Sequence, residues 1–296
     1  MKKALVLPSL AVLGGLAGFA LRTWQLSTAV DPQSGIIQSD HPATLGLLLL
    51  SALLALGFLV LSRSVPLPEP DALPNPFYCP NSLYITAMSV SGLLLLAAGG
   101  LGLMNTFLDY QELQAQWVPD QPPVPFPAIA VLCGGLCLAA GASVLIFGRS
   151  NYRGLNASGW LIGSLPPGYL ALLMLIDYYV AHSSDPLLLR YAWSLLGWVT
   201  TLVSLYAVSS CCYRKPAPRI TLFFSGCAVY LQLISLADRP ESFQIMAIAA
   251  LIFYLLAQSA ALTQNCLAPR MPSGALDEPE NNQENQNQNI SFDAEK

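Results

Sequence analysis

The chain of 296 residues is 54% hydrophobic and only 10% charged, with a mean hydropathy of +0.52; ordinary soluble domains carry about 25% charged residues. That balance excludes a soluble globular domain, and the lack of a basic patch interleaved with aromatics removes support for nucleic-acid binding. The formal net charge of −4 belongs to the C-terminal tail, where two basic and six acidic residues follow from Leu267 onward, leaving the rest neutral at 11 against 11.

Eight apolar runs follow one another, at 4–23, 43–62, 84–107, 127–148, 160–181, 187–209, 218–236 and 243–264. Each is near the length of about 20 residues that an α-helix needs to cross the hydrocarbon core. Strands of a membrane barrel would alternate apolar with polar residues, whereas Leu47 to Leu61 is apolar on every face. The expected fold is therefore an all-α polytopic bundle of about eight transmembrane helices, over residues 1–266.

The first run also has the form of a signal peptide, with Lys2 and Lys3 before an apolar stretch and Gly18-Phe19-Ala20 as a cleavage site. Cleavage would reduce eight helices to seven. Two odd-numbered connections, 25–42 and 109–126, are long enough to cover a bundle mouth. Between the second and third runs, residues 64–81 contain six prolines; they are expected to run extended along the membrane surface. Helices two and four both end in a basic residue followed by serine, at Arg63-Ser64 and Arg149-Ser150, without further identity that would indicate a duplication. Gly14-xxx-Gly18, Gly92, Gly99, Gly100 and Gly102, and Gly134, Gly135 and Gly141 are small residues suited to close helix packing. The tail, 267–296, is rich in Asn, Gln and Glu and too polar to bury a core, so it is expected to be disordered.

Assigning helix ends alternately to two sides puts ten basic residues on one side and three, Arg22, Arg190 and Arg239, on the other. The positive-inside rule then places both termini in the cytoplasm and four hairpins facing outward, in a plasma membrane.

Little in the chain carries recognisable chemistry. Seven cysteines fall outside the outer loops, which argues against disulfides, and Cys133-x-x-x-Cys137 lacks the further ligands of a metal site. The two histidines, His41 and His182, share no metal-binding spacing. No phosphate loop or nucleophile elbow occurs. No cofactor, metal or enzymatic activity is expected.

One constellation stands out at the outer ends. Asp177 and Arg190 flank the turn at Ser183-Ser184-Asp185-Pro186 at matching depth and are expected to pair, while Arg22, Asp109, Asp238 and Arg239 reach the outer ends of other helices. Arg22, Asp177, Tyr178, Arg190 and Arg239 together could form a vestibule for a small polar ligand or ion. The alternative is that these are interface residues that snorkel or pair to lock helix ends.

The stretch LIDYYVAHSSDPLLLRYAWSLLG (175–197), with Pro218-Arg219 and Leu236-Ala237-Asp238-Arg239-Pro240 beyond it, resembles a family of uncharacterised multispanning bacterial membrane proteins with no assigned activity. That resemblance implies a bacterial plasma-membrane location and transfers no function. The expected role is a non-enzymatic accessory or sensing component that meets the bilayer and a protein partner through its outer loops or tail. A small-solute transporter with its site in the outer vestibule is the alternative.

The charge asymmetry makes a direct prediction. An impermeant thiol reagent should label cysteines placed at Ser34 and Asp120 in intact cells and spare one at Asn287; the reverse pattern would invert the orientation.

Overall fold

The computed structural model describes residues 5–30, 36–38, 40–67, 75–117, 124–154, 163–183, 188–213 and 217–268, with backbone alone at 188–190. Among them are eight α-helices: α1 (Val6–Thr28), α2 (Pro42–Ser64), α3 (Ser82–Ala115), α4 (Ala128–Arg153), α5 (Pro166–His182), α6 (Leu188–Cys212), α7 (Pro218–Ser235) and α8 (Ser242–Leu267). A single 3-10 turn, Leu236–Asp238, follows α7, and the described residues contain no strand. Seven of the helices are long and apolar enough to cross a membrane. Side chains such as Leu49, Leu53, Leu56 and Val60 on α2 are exposed, which suits a surface whose solvent is hydrocarbon.

The eighth helix, α5, is 17 residues long, shorter than the expected run at 160–181. Tandem Pro166 and Pro167 occupy its first turn. Neither ring nitrogen can donate to a preceding carbonyl, so both suit a helix start and not an interior. In the other direction α3 overshoots its expected end by about two turns. Its 34 residues span about 50 Å at the α-helical rise, well beyond a hydrocarbon core of about 30 Å. No Gly or Pro occurs between Gly102 and Pro119, so what was expected as the start of a loop at Asp109 is helix.

Six helices close into a ring. α3 packs on α4, α4 on α5, α5 on α6, α6 on α7, α7 on α8, and α8 returns to α3, while α1 and α2 pack on each other and against the outside of α7. Two kinds of interface hold the ring together. Between α3 and α4, a Cβ on Gly99 would lie 2.8 Å from the Gly134 carbonyl oxygen, and one on Gly141 would lie 2.8 Å from that of Gly92. Glycine alone admits these two antiparallel crossings. Van der Waals contact between close backbones replaces the hydrophobic driving force that lipid cannot supply. Between α6 and α7 the link is polar: the Gln232 amide donates to Thr201 Oγ1 at 2.9 Å, and the Ser204 and Ser225 hydroxyls lie 2.8 Å apart, all buried. Ser91 Oγ on α3 donates to the Ala250 carbonyl of α8 at 2.7 Å, where the ring closes.

The proline-rich connection departs from its expected course. Its second described part, 75–81, turns into the bundle, where Phe77 is fully buried with its ring edge-on to Phe147. Asn265 donates its amide to the carbonyls of Pro76 and Tyr78 at 2.8 and 3.0 Å. Asn75 donates to Asn151 Oδ1 at 3.3 Å. An aromatic side chain buried among apolar neighbours outweighs the polar surface course that proline content alone suggests. Residues 68–74 and the tail from 269 lie outside the described residues, as does the first connection's 31–35.

The glycines divide into two classes with opposite expected behaviour. Gly141→Ala should destabilise the protein by about 1–3 kcal/mol, the usual effect of overpacking. Gly100→Ala and Gly135→Ala, where an added Cβ meets nothing within 4 Å, should be neutral or slightly stabilising, because alanine is the better helix former. Thermal unfolding of the three variants in detergent checks this, and equal losses at all three would contradict the crossing geometry.

Candidate functional site

At one end of the ring, which we call the mouth, the helix ends surround a cavity of about 440 Å³ to which α3, α4, α5, α6, α7 and α8 all contribute lining residues. Its floor includes Trp198 and Ile248, both members of the continuous buried core that also contains Met174 and Leu251. The ring is thus filled by side chains below the mouth.

The acidic lining comprises Asp109, Asp177, Asp238 and Glu241, and Arg239 stands against them. Two of the acids have partners. Glu241 forms a capping box at the start of α8 with Gln244, satisfying donors that a helix N-terminus leaves open. Asp238 accepts from Arg22: Nε and Nη2 reach its Oδ1 at 3.0 and 2.8 Å. Its other oxygen, Oδ2, accepts from Ser194 Oγ at 2.7 Å. Arg22 is completely buried, Asp238 about one tenth exposed. The Arg22 Nη1 further donates to Gln25 Oε1 at 2.7 Å, and Gln25 donates to Thr44 Oγ1 at 2.9 Å. Four helices, α1, α2, α6 and the end of α7, are tied by this one network.

The expected vestibule residues are placed differently from one another. Asp177 and Tyr178 line the cavity from α5 and Arg239 lines it from the α7–α8 turn. Arg22 lies behind the wall, engaged with Asp238. The side chain of Arg190 lies outside the described residues, and Asp177 makes no salt bridge within them. Half-buried and without an ion pair among the described residues, Asp177 lines the cavity as a carboxylate that a ligand could meet. Beside it, His182 stacks on Tyr178 with ring centroids 4.4 Å apart and packs against Tyr191 at 4.0 Å; the His182 Nδ1 sits 2.8 Å from the Tyr178 carbonyl oxygen. The site therefore offers carboxylates next to aromatic faces.

Arg239 has a backbone feature of its own. It is the one non-glycine with positive φ among the described residues, at φ 54°, and it precedes Pro240, which disfavours a helical conformation at the preceding residue. The strain, of order 1–3 kcal/mol, is held where Asp238 is bonded on one side and α8 is capped on the other. Sequence reading identified Arg239 from its charge alone; the turn that aims it had no local signature beyond Asp-Arg-Pro.

At the ring's other end a second polar group is sealed off. Tyr84 Oη accepts from the Asn151 amide at 3.1 Å and from the Gln258 amide at 3.2 Å, all fully or nearly fully buried. These residues were not anticipated as a group, because Tyr84 and Gln258 lie in apolar runs far apart in the chain and Asn151 lies just beyond the end of another. Among the described residues, no three His, Cys, Asp or Glu side chains are grouped to hold a metal ion. Comparison with protein-family models, curated proteins and solved structures found no match to this chain.

Two acids of the mouth should respond oppositely to neutralisation. Asp238→Asn strands the buried Arg22 charge and should cost on the order of 3–5 kcal/mol, whereas Asp177→Asn should leave stability within about 0.5 kcal/mol. In a double-mutant cycle, Arg22→Gln with Asp238→Asn should be less damaging than the sum of the singles. Strict additivity in thermal unfolding would show that the two charges are not coupled.

Proposed function

We propose that this chain is a multi-pass protein of the bacterial plasma membrane, with both termini cytoplasmic, that binds a small cationic solute in an outward-facing vestibule as a non-enzymatic sensing or accessory component. One observation carries the reading: a single cavity, shared by every helix of a closed ring, presents an acid, Asp177, that has no ion-pair partner among the described residues. Clefts of a few hundred Å³ with a few convergent polar groups are the usual form of small-molecule sites. Sign follows from the described lining, where Asp109, Asp177 and Glu241 stand with one arginine, Arg239, once Asp238 is committed to Arg22. The aromatic neighbours favour an organic ammonium, since ring faces attract cations.

The location rests on the ten-to-three division of basic residues and on the resemblance in residues 175–240. α5 completes eight spans in this reading, with its 17 residues at the lower limit for crossing a hydrocarbon core. A protein partner would meet the outer loops or the tail, a suggestion supported only by their length and composition.

Transport of the same solute is the second reading, favoured by the participation of all six ring helices in the cavity, so that a ligand there touches every element that would have to move. The filled core beneath Trp198 counts against an open path.

Purified protein should gain thermal stability with ethanolamine, choline or putrescine and not with acetate or lactate, and Asp177→Asn should abolish the gain. A shift produced by the anions, or retained in Asp177→Asn, would refute the cation site. In proteoliposomes, radiolabelled choline that binds without accumulating supports sensing; Asp177-dependent accumulation establishes transport instead.

A further inference from the structure

Arg239 is a cation without a protein counter-charge. Its side chain is exposed, lines the cavity from the turn between α7 and α8, and makes no hydrogen bond or salt bridge among the described residues. The two acids nearest to it in the sequence are turned elsewhere: Asp238 holds Arg22 and Ser194, and Glu241 accepts from the first turn of α8. The backbone beneath it has φ 54° immediately before Pro240, a left-handed conformation that glycine adopts without steric cost and arginine does not. Strain of this kind persists only where the surrounding structure holds it, and it gathers at ligand sites.

The same cavity, of about 440 Å³, is lined by Asp177 from α5. In the ring order α5 stands opposite α8, with α6 and α7 between them on one side and α4 and α3 on the other, so Asp177 and Arg239 enter from different walls. An ammonium group suits the first wall, where the carboxylate lies beside the rings of Tyr178, His182 and Tyr191 and ring faces attract cations. A carboxylate suits the second, because the guanidinium fork matches its two oxygens. A lone carboxylate is not favoured, since Asp109, Asp177 and Glu241 outnumber Arg239 in the described lining. A molecule that carries both groups satisfies both walls.

We propose that the mouth binds a small zwitterion, an ammonium carboxylate of the amino-acid or betaine type, with its ammonium at Asp177 and its carboxylate on the Arg239 guanidinium. This assignment rests on the cation site proposed for Asp177; Arg239 selects among the cations that site admits.

Isothermal titration calorimetry of the purified full chain with two matched pairs, glycine betaine against choline and glycine against ethanolamine, tests the assignment. Members of a pair share their ammonium group and differ only in ending with a carboxylate or a hydroxymethyl. In the wild type the carboxylate member of at least one pair should bind about ten-fold more tightly, the contribution of a charge-assisted hydrogen bond. Arg239→Gly removes the guanidinium and places at φ 54° a residue that adopts it freely, so the ligand-free unfolding temperature should not fall. In that variant the preference should drop to unity or reverse, and the plain cation should bind more tightly than it does to the wild type because a like charge is gone. Asp177→Asn should weaken every ligand that binds. Wild-type affinities for choline and ethanolamine equal to those of their partners, or a preference that survives Arg239→Gly, would overturn the zwitterion and leave the cation site standing. Absence of binding by all four, or binding unchanged in Asp177→Asn, would remove the cation site and the zwitterion with it. Should Arg239→Gly fail to fold, the wild-type ratios decide together with Arg239→Lys, which keeps the charge without the fork: most of the preference should be lost, and its full retention would overturn the assignment.

Discussion

The buried pairing of Arg22 with Asp238 sets the terms for the mouth of this protein. A guanidinium without solvent access is tolerable in a membrane bundle only if it is paired and its remaining donors are engaged. Here Asp238 and Gln25 meet that demand, and each is held in turn by a hydroxyl, Ser194 Oγ and Thr44 Oγ1. The peripheral helices α1 and α2 are thereby fastened to the ring by direction-specific bonds as well as by packing. The same carboxylate fixes the turn after α7. Arg239 is consequently presented to the cavity on a left-handed backbone that an unanchored chain would abandon.

The ring depends on chemistry that differs from one interface to the next. Where α3 meets α4, absent side chains bring the backbones together; where α6 meets α7, hydroxyls and an amide hold helices with more side-chain bulk between them. With close contact at one side and hydrogen-bonded contact at the other, room is left at the mouth, among the ends of all six ring helices. That is where the cavity lies. At the opposite end the space is filled by Phe77 and by the buried Tyr84, Asn151 and Gln258 group. The two ends of one bundle thus differ in openness for identifiable reasons.

Much of the architecture could be read from the chain because the hydrocarbon core imposes it. Apolar runs near twenty residues located the helices, and the glycines of the third and fourth runs marked a true backbone contact. The convergence of acid and base at the odd-numbered connections was visible too, in Arg22, Asp109, Asp177, Asp238 and Arg239. Pairing was not. Arg22 and Asp238 are 216 residues apart, and no local pattern encodes which carboxylate an arginine will meet. Asp177 was expected to pair with Arg190, whose side chain lies outside the described residues; the described side chains that share its cavity wall include Tyr178, His182 and, from α6, Tyr191. Ends were misjudged where composition and conformation disagree: α3 continues through polar residues that are good helix formers, and Phe77 overrides the prolines around it.

Closure of the ring between α3 and α8 has a consequence for how the protein is made. These helices are separated by more than one hundred residues, so during synthesis α3 enters the membrane long before its second neighbour exists. Until α8 arrives, Ser91 has no Ala250 carbonyl to bond, and the carbonyls of Pro76 and Tyr78 lack the Asn265 amide. Phe77 likewise waits for a complete wall. Assembly therefore ends with the last helix fastening the segment that precedes the third, a latch between late and early parts of the chain. A nascent chain stalled before α8 would show unpaired backbone and polar groups in the bilayer, the features that membrane quality-control proteases can recognise and that the finished ring conceals.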